Sequence, residues 1–394
     1  GTTFYDGEIV NKRNNKFMIT HLSINNLKLH NHTNLKLNGL TILTGMNGMG
    51  KSTVIQSLIL LRQSFMMNDL DSGLNLKGDL CDAGMSGELA CQTSMEHSLN
   101  INMKFIEQDD LNFSFEYPDN IMDTMLPGAK SNETSKAVLS KYSLFNENFQ
   151  YLSAFRFGPQ KSYNRDTSLV VTKKQISKIM GQCEYAVHFL EQYKNTNIPI
   201  KELAIIEDDD ITPDYRLTVQ VERWLRLVSP NIKINIEPVG EDFKLKYKFS
   251  REENTITEDI TALNTGFGIT YVLPILIAVL SAGKDAIVLI ENPEAHLHPK
   301  GQAVLMELVS KAVACGVQIV MESHSDHIIN GSLVAVNKKW INPDLLSIYY
   351  FEREEHEHVA LSHQLLISET GRITRPPKGF FDQIDIDLKT LTGF

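Results

Sequence analysis

The chain has 394 residues, 42% of them hydrophobic and 22% charged, with a net charge of −10 at neutral pH. That composition describes a globular protein with a sizeable core in two or three structural units, and its acidic balance argues against a generally basic nucleic-acid binder. Four cysteines without a C-x-x-C pair exclude a zinc framework and a disulfide scaffold, and the longest apolar run, Tyr271 to Ser281, is too short to span a bilayer. A soluble protein of the reducing cytoplasm, with no membrane partner, is expected.

Residues 17–44 read as two strands, Met18 to Leu29 and Leu35 to Leu43, joined by the polar turn His30-Asn-His-Thr-Asn34. The second strand runs into TGMNGMGKST, Thr44 to Thr53, and an apolar run from Val54 to Leu61 opens a helix over 51–66. The spacing is G-x-x-x-x-G-K-[ST], with Gly45, Gly50, Lys51 and Ser52 in the required places. Glycines let such a loop wrap so that backbone N–H groups face phosphate oxygens, Lys51 reaches the β- and γ-phosphates, and Ser52 holds Mg2+. The helix that follows aims its positive end at the nucleotide. A strand before and a helix after are the context that separates a phosphate loop from a glycine-rich turn.

A polar, glycine-studded segment, Asn68 to Gly87, precedes strands at 99–106 and 111–117, whose alternation (Leu99, Ile101, Met103, Phe105; Phe113, Phe115) fits an antiparallel pair with one buried face. Residues 118–150 are turn-rich and read as a surface insertion. Tyr151 to Tyr163 reads as a strand returning to the core near the nucleotide, with Arg156 either contacting a phosphate or another subunit or serving as an ordinary surface arginine. Helical periodicity marks 184–195 and 216–228, the latter with Val221, Trp224 and Leu225 on one face. Glu207 to Asp210 reads as a solvated loop, and 232–249 as two strands around Gly240.

Thr265-Gly-Phe-Gly268 introduces a helical segment, Ile269 to Ser281, interrupted by Pro274. Ala286 to Ile290 is an apolar strand ending in Glu291-Asn-Pro-Glu294. A helix over 299–314 leads to a second buried strand, Val317 to Met321, ending in Glu322-Ser-His-Ser-Asp326. Strands alternating with helices describe a parallel sheet whose carboxyl ends line one edge, where ligands bind. A carboxylate at such a strand end holds Mg2+ directly or through water, and Glu291 fills that position.

GMNGMGKST, TGFG, IVLIENPEAHLHP and VMESHSDH, in this order, closely resemble ABC-type ATPases of the SMC and overcoming-lysogenization-defect (OLD) kind. More narrowly, the chain is similar to the ATPases of bacterial phage-defence systems such as Septu. The resemblance rests on residues 17–66, 151–163 and 260–330. It implies an α/β fold: an ABC/SMC-type P-loop ATPase head with a β-rich N-terminal lobe and a compact insertion between the Walker A and signature motifs. The implied units are an N-terminal lobe at 17–117, an insertion and connector at 118–250, a C-terminal lobe at 251–352 and an extension at 353–394. The span from the phosphate loop to the signature holds no sustained heptads, so a compact insertion stands where SMC proteins carry a long coiled coil.

The resemblance also implies roles. Gly45, Asn47, Gly48, Gly50, Lys51, Ser52 and Thr53 cradle ATP, and Ser52 and Glu291 hold Mg2+. Thr265 and Gly266 occupy the signature position, which caps the γ-phosphate held by a second copy, so a homodimer is implied. His324 is at the switch-histidine position, and His296 and His298 fall in the loop that speaks across the dimer. The position of the general base holds Asn292, and an amide cannot take a proton from water, so either Glu294 reaches the attacking water or hydrolysis is slow. Gln63 and Gln92 are candidates for the Q-loop glutamine. His296 and His298 alternatively form a metal pair, Glu354-Glu-His-Glu-His358 decorates a hairpin turn, and Asp385-Ile-Asp387 resembles a Toprim acidic pair with too few residues after Asp326 to form that domain. The expected function is a dimeric ATP-hydrolysing switch that regulates a separate effector, a nuclease, in anti-phage defence. The alternatives are an SMC-like ATP-dependent DNA clamp and an ATP sensor with little turnover.

Overall fold

The computed structural model describes residues 3–4, 15–46, 48–129, 134–250, 260–261, 267–353, 356, 359–377, 380 and 391. Strands β1 (Ile19–Leu27) and β2 (His30–Lys36) form the first hairpin. Its turn is Lys28-Leu29, with Lys28 at φ of 51° and the nearby Asn26 at 64°, and not the polar stretch 30–34. That stretch is a strand because its alternation holds: Thr33 and Leu35 are buried, Asn34 and Lys36 exposed. Polar composition masked the period.

β3 (Leu40–Gly45) leads through the phosphate loop into α1 (Lys51–Met66). β4 (Ser98–Phe105) and β5 (Leu111–Glu116) complete an antiparallel sheet of order β2-β1-β4-β5. β6 (Phe149–Leu152) is shorter than the strand expected over 151–163, which leaves the sheet after Leu152. α2 (Ala186–Tyr193), α3 (Leu217–Val228) and the hairpin β7 (Ile232–Val239) with β8 (Asp242–Phe249) follow. α4 (Phe267–Ser281) runs through Pro274. Then come β9 (Ile287–Glu291), α5 (Pro299–Ala314), β10 (Gln318–Glu322), α6 (Asp326–Asn337), β11 (Leu346–Arg353) and β12 (Ala360–Gln364).

The central sheet has the order β12-β11-β3-β10-β9-β6, parallel throughout except for β12. The inner strands β3, β9 and β10 are buried on both faces, which is why β9 and β10 read as unbroken apolar runs. Period-2 alternation divides them between two cores. Ile42, Val288, Ile290, Ile319, Met321 and Ile348 face a core shared with α2 to α6. Leu43, Ile287, Leu289, Val320, Tyr349 and Phe351 face the core shared with α1 and the antiparallel sheet. Between two sheets, α1 is buried nearly all round and so carries no amphipathic stripe.

Two further segments differ from expectation. The end of 118–150 is not surface: Tyr142, Leu144 and Phe145 are buried, the Phe145 ring lies 4.9 Å from that of Phe65, and Arg62 Nη1 donates to the carbonyls of Leu144 and Asn146. Asp210 is paired rather than only solvated, accepting from both terminal nitrogens of Arg223 at 2.7 Å. Among the described residues no helix is long and apolar enough to cross a membrane.

The antiparallel sheet is tied to the phosphate loop by His30. Fully buried, its Nε2 donates to Gly50 O at 2.6 Å while Nδ1 accepts from the Thr33 hydroxyl at 2.7 Å. Burial holds the imidazole below its ordinary value of 6.5, ahead of the opposing effect of the Gly50 carbonyl. A depressed folded-state pKa stabilises fully above the unfolded value and loses that contribution as pH falls below it. The melting-temperature gap between wild type and His30→Gln is therefore expected to narrow from pH 7 to pH 5. A gap independent of pH over that range contradicts a neutral, buried His30.

Candidate functional site

The site lies where β3, β9 and β10 end. Gly45 has φ of 132°, and a Cβ there would sit 2.3 Å from the carbonyl oxygen of Phe351 on β11, so no other residue fits. Gly48 and Gly50 also have positive φ, of 75° and 93°. Asn47, Thr265 and Gly266 lie outside the described residues, as do Glu354, Glu357, His358, Asp385 and Asp387.

Lys51, only 2% exposed, donates its ammonium to the Gly45 carbonyl and to His324 Nδ1, the latter at 2.8 Å. With the ammonium as donor, Nδ1 is the acceptor and the ring hydrogen sits on Nε2. Burial lowers the lysine pKa, opposed by the charges of Glu322 and Glu294. Thr53 is buried in the first turn of α1. Ser52 Oγ donates to Glu322 Oε1 at 3.0 Å.

Glu291 and Glu322 end neighbouring strands and are register partners. The Tyr151 hydroxyl donates to Glu291 Oε1. Burial raises the Glu291 pKa, and the hydrogen bond from Tyr151 opposes it. Glu322 is raised first by burial and then by the charge of Glu291. Among the described residues its Oε2 is buried without a partner, as is Oδ1 of Asn292.

Arg156 does not face solvent, and among the described residues it pairs with no carboxylate. It is 3% exposed, and its guanidinium donates to the carbonyls of Ser153 (2.8 Å), Glu291 (2.6 Å) and Asn292 (2.8 Å). The arginine thus clamps the end of β9, where Asn292 turns with φ of 46° and donates its N–H to Glu322 O. Asparagine tolerates that left-handed conformation better than most residues.

Glu294 holds the loop after β10: its carboxylate accepts from Ser323 Oγ at 3.0 Å and from the His324 backbone N–H at 2.9 Å. His296 stacks on Tyr271 of α4 with centroids 4.5 Å apart, and its carbonyl oxygen lies 2.4 Å from where a Cβ of Gly268 would be. His298 caps α5. Gln63 binds Asn75 and Cys81 in the loop beyond α1, and Gln92 is exposed in a turn, so neither contacts the strand ends. No group of three or more His, Cys, Asp or Glu able to hold a metal occurs among the described residues.

The structure therefore brings Lys51, Ser52, Glu291, Asn292, Glu294 and His324 to one edge of the sheet, and adds three residues that sequence reasoning passed over: His30, Tyr151 and Glu322. Glu322 carried a legible signal, since both apolar strands close on glutamate. Tyr151 and His30 carried none, because their roles depend on which strands become neighbours.

The AAA ATPase domain family matches residues 18–221 and 200–329, and a protein family of unknown function, DUF3696, matches 341–391. No curated protein matches. Among solved structures, an SMC head bound to the C-terminal winged-helix domain of ScpA superposes with a TM-score of 0.54 at 11% identity, over 89% of this chain and 98% of the other. A Pyrococcus furiosus Smc head with an extended coiled coil, bound to the C-terminal domain of ScpA, shows 13% identity over 95% and 99% of the chains, at a TM-score of 0.48. The SMC head of Thermotoga maritima shows 9% identity over 89% and 99%, at 0.45. The first likeness, with the mixed sheet and phosphate loop, establishes the fold as an ABC/SMC-type P-loop ATPase head. By the span matched, most of its length, the chain belongs to the AAA ATPase domain family.

Proposed function

We propose that the protein binds and hydrolyses ATP as a dimeric switch that regulates a separate effector protein, a nuclease of anti-phage defence. The observation that carries the switch is the hydrogen-bonded chain from Lys51 through His324 to Glu294. The ammonium that would meet the γ-phosphate is held by the histidine of another strand-end loop, and that loop is held by Glu294. A γ-phosphate arriving at Lys51 competes with His324 for the same ammonium, so nucleotide state is transmitted to the loops after β9 and β10.

Gly45, Asn47, Gly48, Gly50, Lys51, Ser52 and Thr53 cradle the phosphates, and Thr265 and Gly266 of a second copy close over them. Ser52 and Glu291 hold Mg2+. The residues fit that ion, being hard oxygen donors at the strand ends, with a buried carboxylate oxygen of Glu322 left unpaired beside Ser52. An ion held by Ser52 and Glu291 would supply charge neutralisation to the phosphates. Phosphoryl transfer demands mainly positioning and electrostatic stabilisation. Water attacks the γ-phosphorus, the bond to the β–γ bridging oxygen breaks, and Glu294 takes the proton. Asn292 accepts a hydrogen bond from that water at Oδ1, orienting it without removing a proton.

A second reading, a sensor that holds ATP with little turnover, is favoured by the amide at position 292. Single-turnover hydrolysis separates the two. Lys51→Ala is expected to weaken fluorescent-ATP binding by about 10–100-fold, as loss of a charge-assisted contact does. Glu294→Gln should retain ATP while hydrolysing it about 100-fold more slowly or worse, the usual worth of a general base. Unchanged turnover in that variant removes Glu294 from the role. Light scattering should show the mass doubling with ATP and not with ADP, and a mass indifferent to nucleotide sinks the dimeric switch.

A further inference from the structure

We infer that Glu322 makes the metal side of this site a two-carboxylate cradle, which takes a divalent cation of the Mg2+ class before nucleotide arrives. The inference deepens the ATP-site reading and rests on it. Alternation along the sheet sets the direction of both acids. Leu289 faces the α1 core, so Glu291, two residues on, projects to the same side; Val320 does the same for Glu322. Adjacent strands lie about 4.8 Å apart, and these two residues are register partners, so both carboxylates project side by side from one face of the sheet, that of Glu322 against Ser52 in the first turn of α1 and that of Glu291 against Tyr151.

Ser52 fixes the spot by donating to one oxygen of Glu322 at 3.0 Å. The other oxygen, on a residue 5% exposed, has no partner. A buried carboxylate oxygen left without a donor is costly. The nearby cations do not repair it. Lys51 is committed to Gly45 and His324, and Arg156 to three backbone carbonyls. Two carboxylates and a hydroxyl form a hard, all-oxygen set that balances a doubly charged ion, with the remaining positions left to water and then to phosphate. The second carboxylate gives this site the charge to take a divalent ion ahead of the nucleotide.

Titration of nucleotide-free protein with Mn2+, read by electron paramagnetic resonance, tests this. Wild type should bind about one Mn2+ per chain, displaced by Mg2+, and Lys51→Ala should keep that binding. Glu322→Gln should weaken it by about 10–100-fold, the scale seen when groups around a metal are altered. Binding of equal strength in a folded Glu322→Gln protein overturns the inference. Should that variant not fold, wild type decides: no saturable Mn2+ binding without nucleotide overturns it as well. Fluorescent-ATP binding to wild type, in chelator and in Mn2+, is scored separately. Its absence overturns the nucleotide reading, whereas ATP binding with no prior metal overturns only the cradle.

Discussion

A buried ammonium organises this molecule. Lys51 is almost wholly withdrawn from water at the start of α1, and an unpaired cation there would cost far more than the fold can spare. One acceptor is local, the Gly45 carbonyl at the end of β3, and the other, His324 after β10, comes from the far end of the sheet's sequence order. To satisfy them, the loop must curl back over its own first residue and two parallel strands must end side by side. The glycine contact with Phe351 and the hold of Glu294 on the His324 loop follow from the same demand.

Around that cation the sheet acts as a ruler. Residues facing α1 are apolar until the strands end, and then become Glu291 and Glu322, so the change from core to site takes one step of the pleat. Arg156 holds the end of that ruler still. It bonds backbone carbonyls rather than side chains, which fixes the path of residues 291 and 292 without neutralising the acids beside them. Tyr151, from the neighbouring β6, donates to Glu291 from the other side. His296 and Gly268 press the loop after β9 onto the first turn of α4, joining the strand ends to that helix.

Much of this was legible in the chain. The phosphate loop announces itself by glycine spacing, and the strands β9 and β10 by short apolar runs ending in acids. The helix over 299–314 was found to the residue, because its apolar period and its proline start agree. What was hidden has a common cause. His30 lies in a stretch of polar residues whose period-2 pattern needs burial to be seen, and Arg156 looks like any surface arginine until the carbonyls it bonds are known. Glu322 was read as part of a motif that ends in His324, although it meets Ser52 across 270 positions of sequence. Local chemistry is visible in a sequence; partnership across a sheet depends on strand order.

That strand order also has a consequence for how the protein is made. β3, which feeds the phosphate loop, ends at Gly45, yet its two neighbours in the sheet are β10 and β11, Gln318–Glu322 and Leu346–Arg353. A ribosome has to deliver most of the chain before β3 can pair on either side. Until then its apolar residues and unpaired backbone are exposed, a state that slows folding and invites aggregation. The nascent N-terminal half therefore carries a phosphate loop that has the antiparallel sheet and His30 behind it but lacks Glu291, Glu322, His324 and both parallel neighbours of β3. A truncated product would expose β3 as a strand unpaired on both sides.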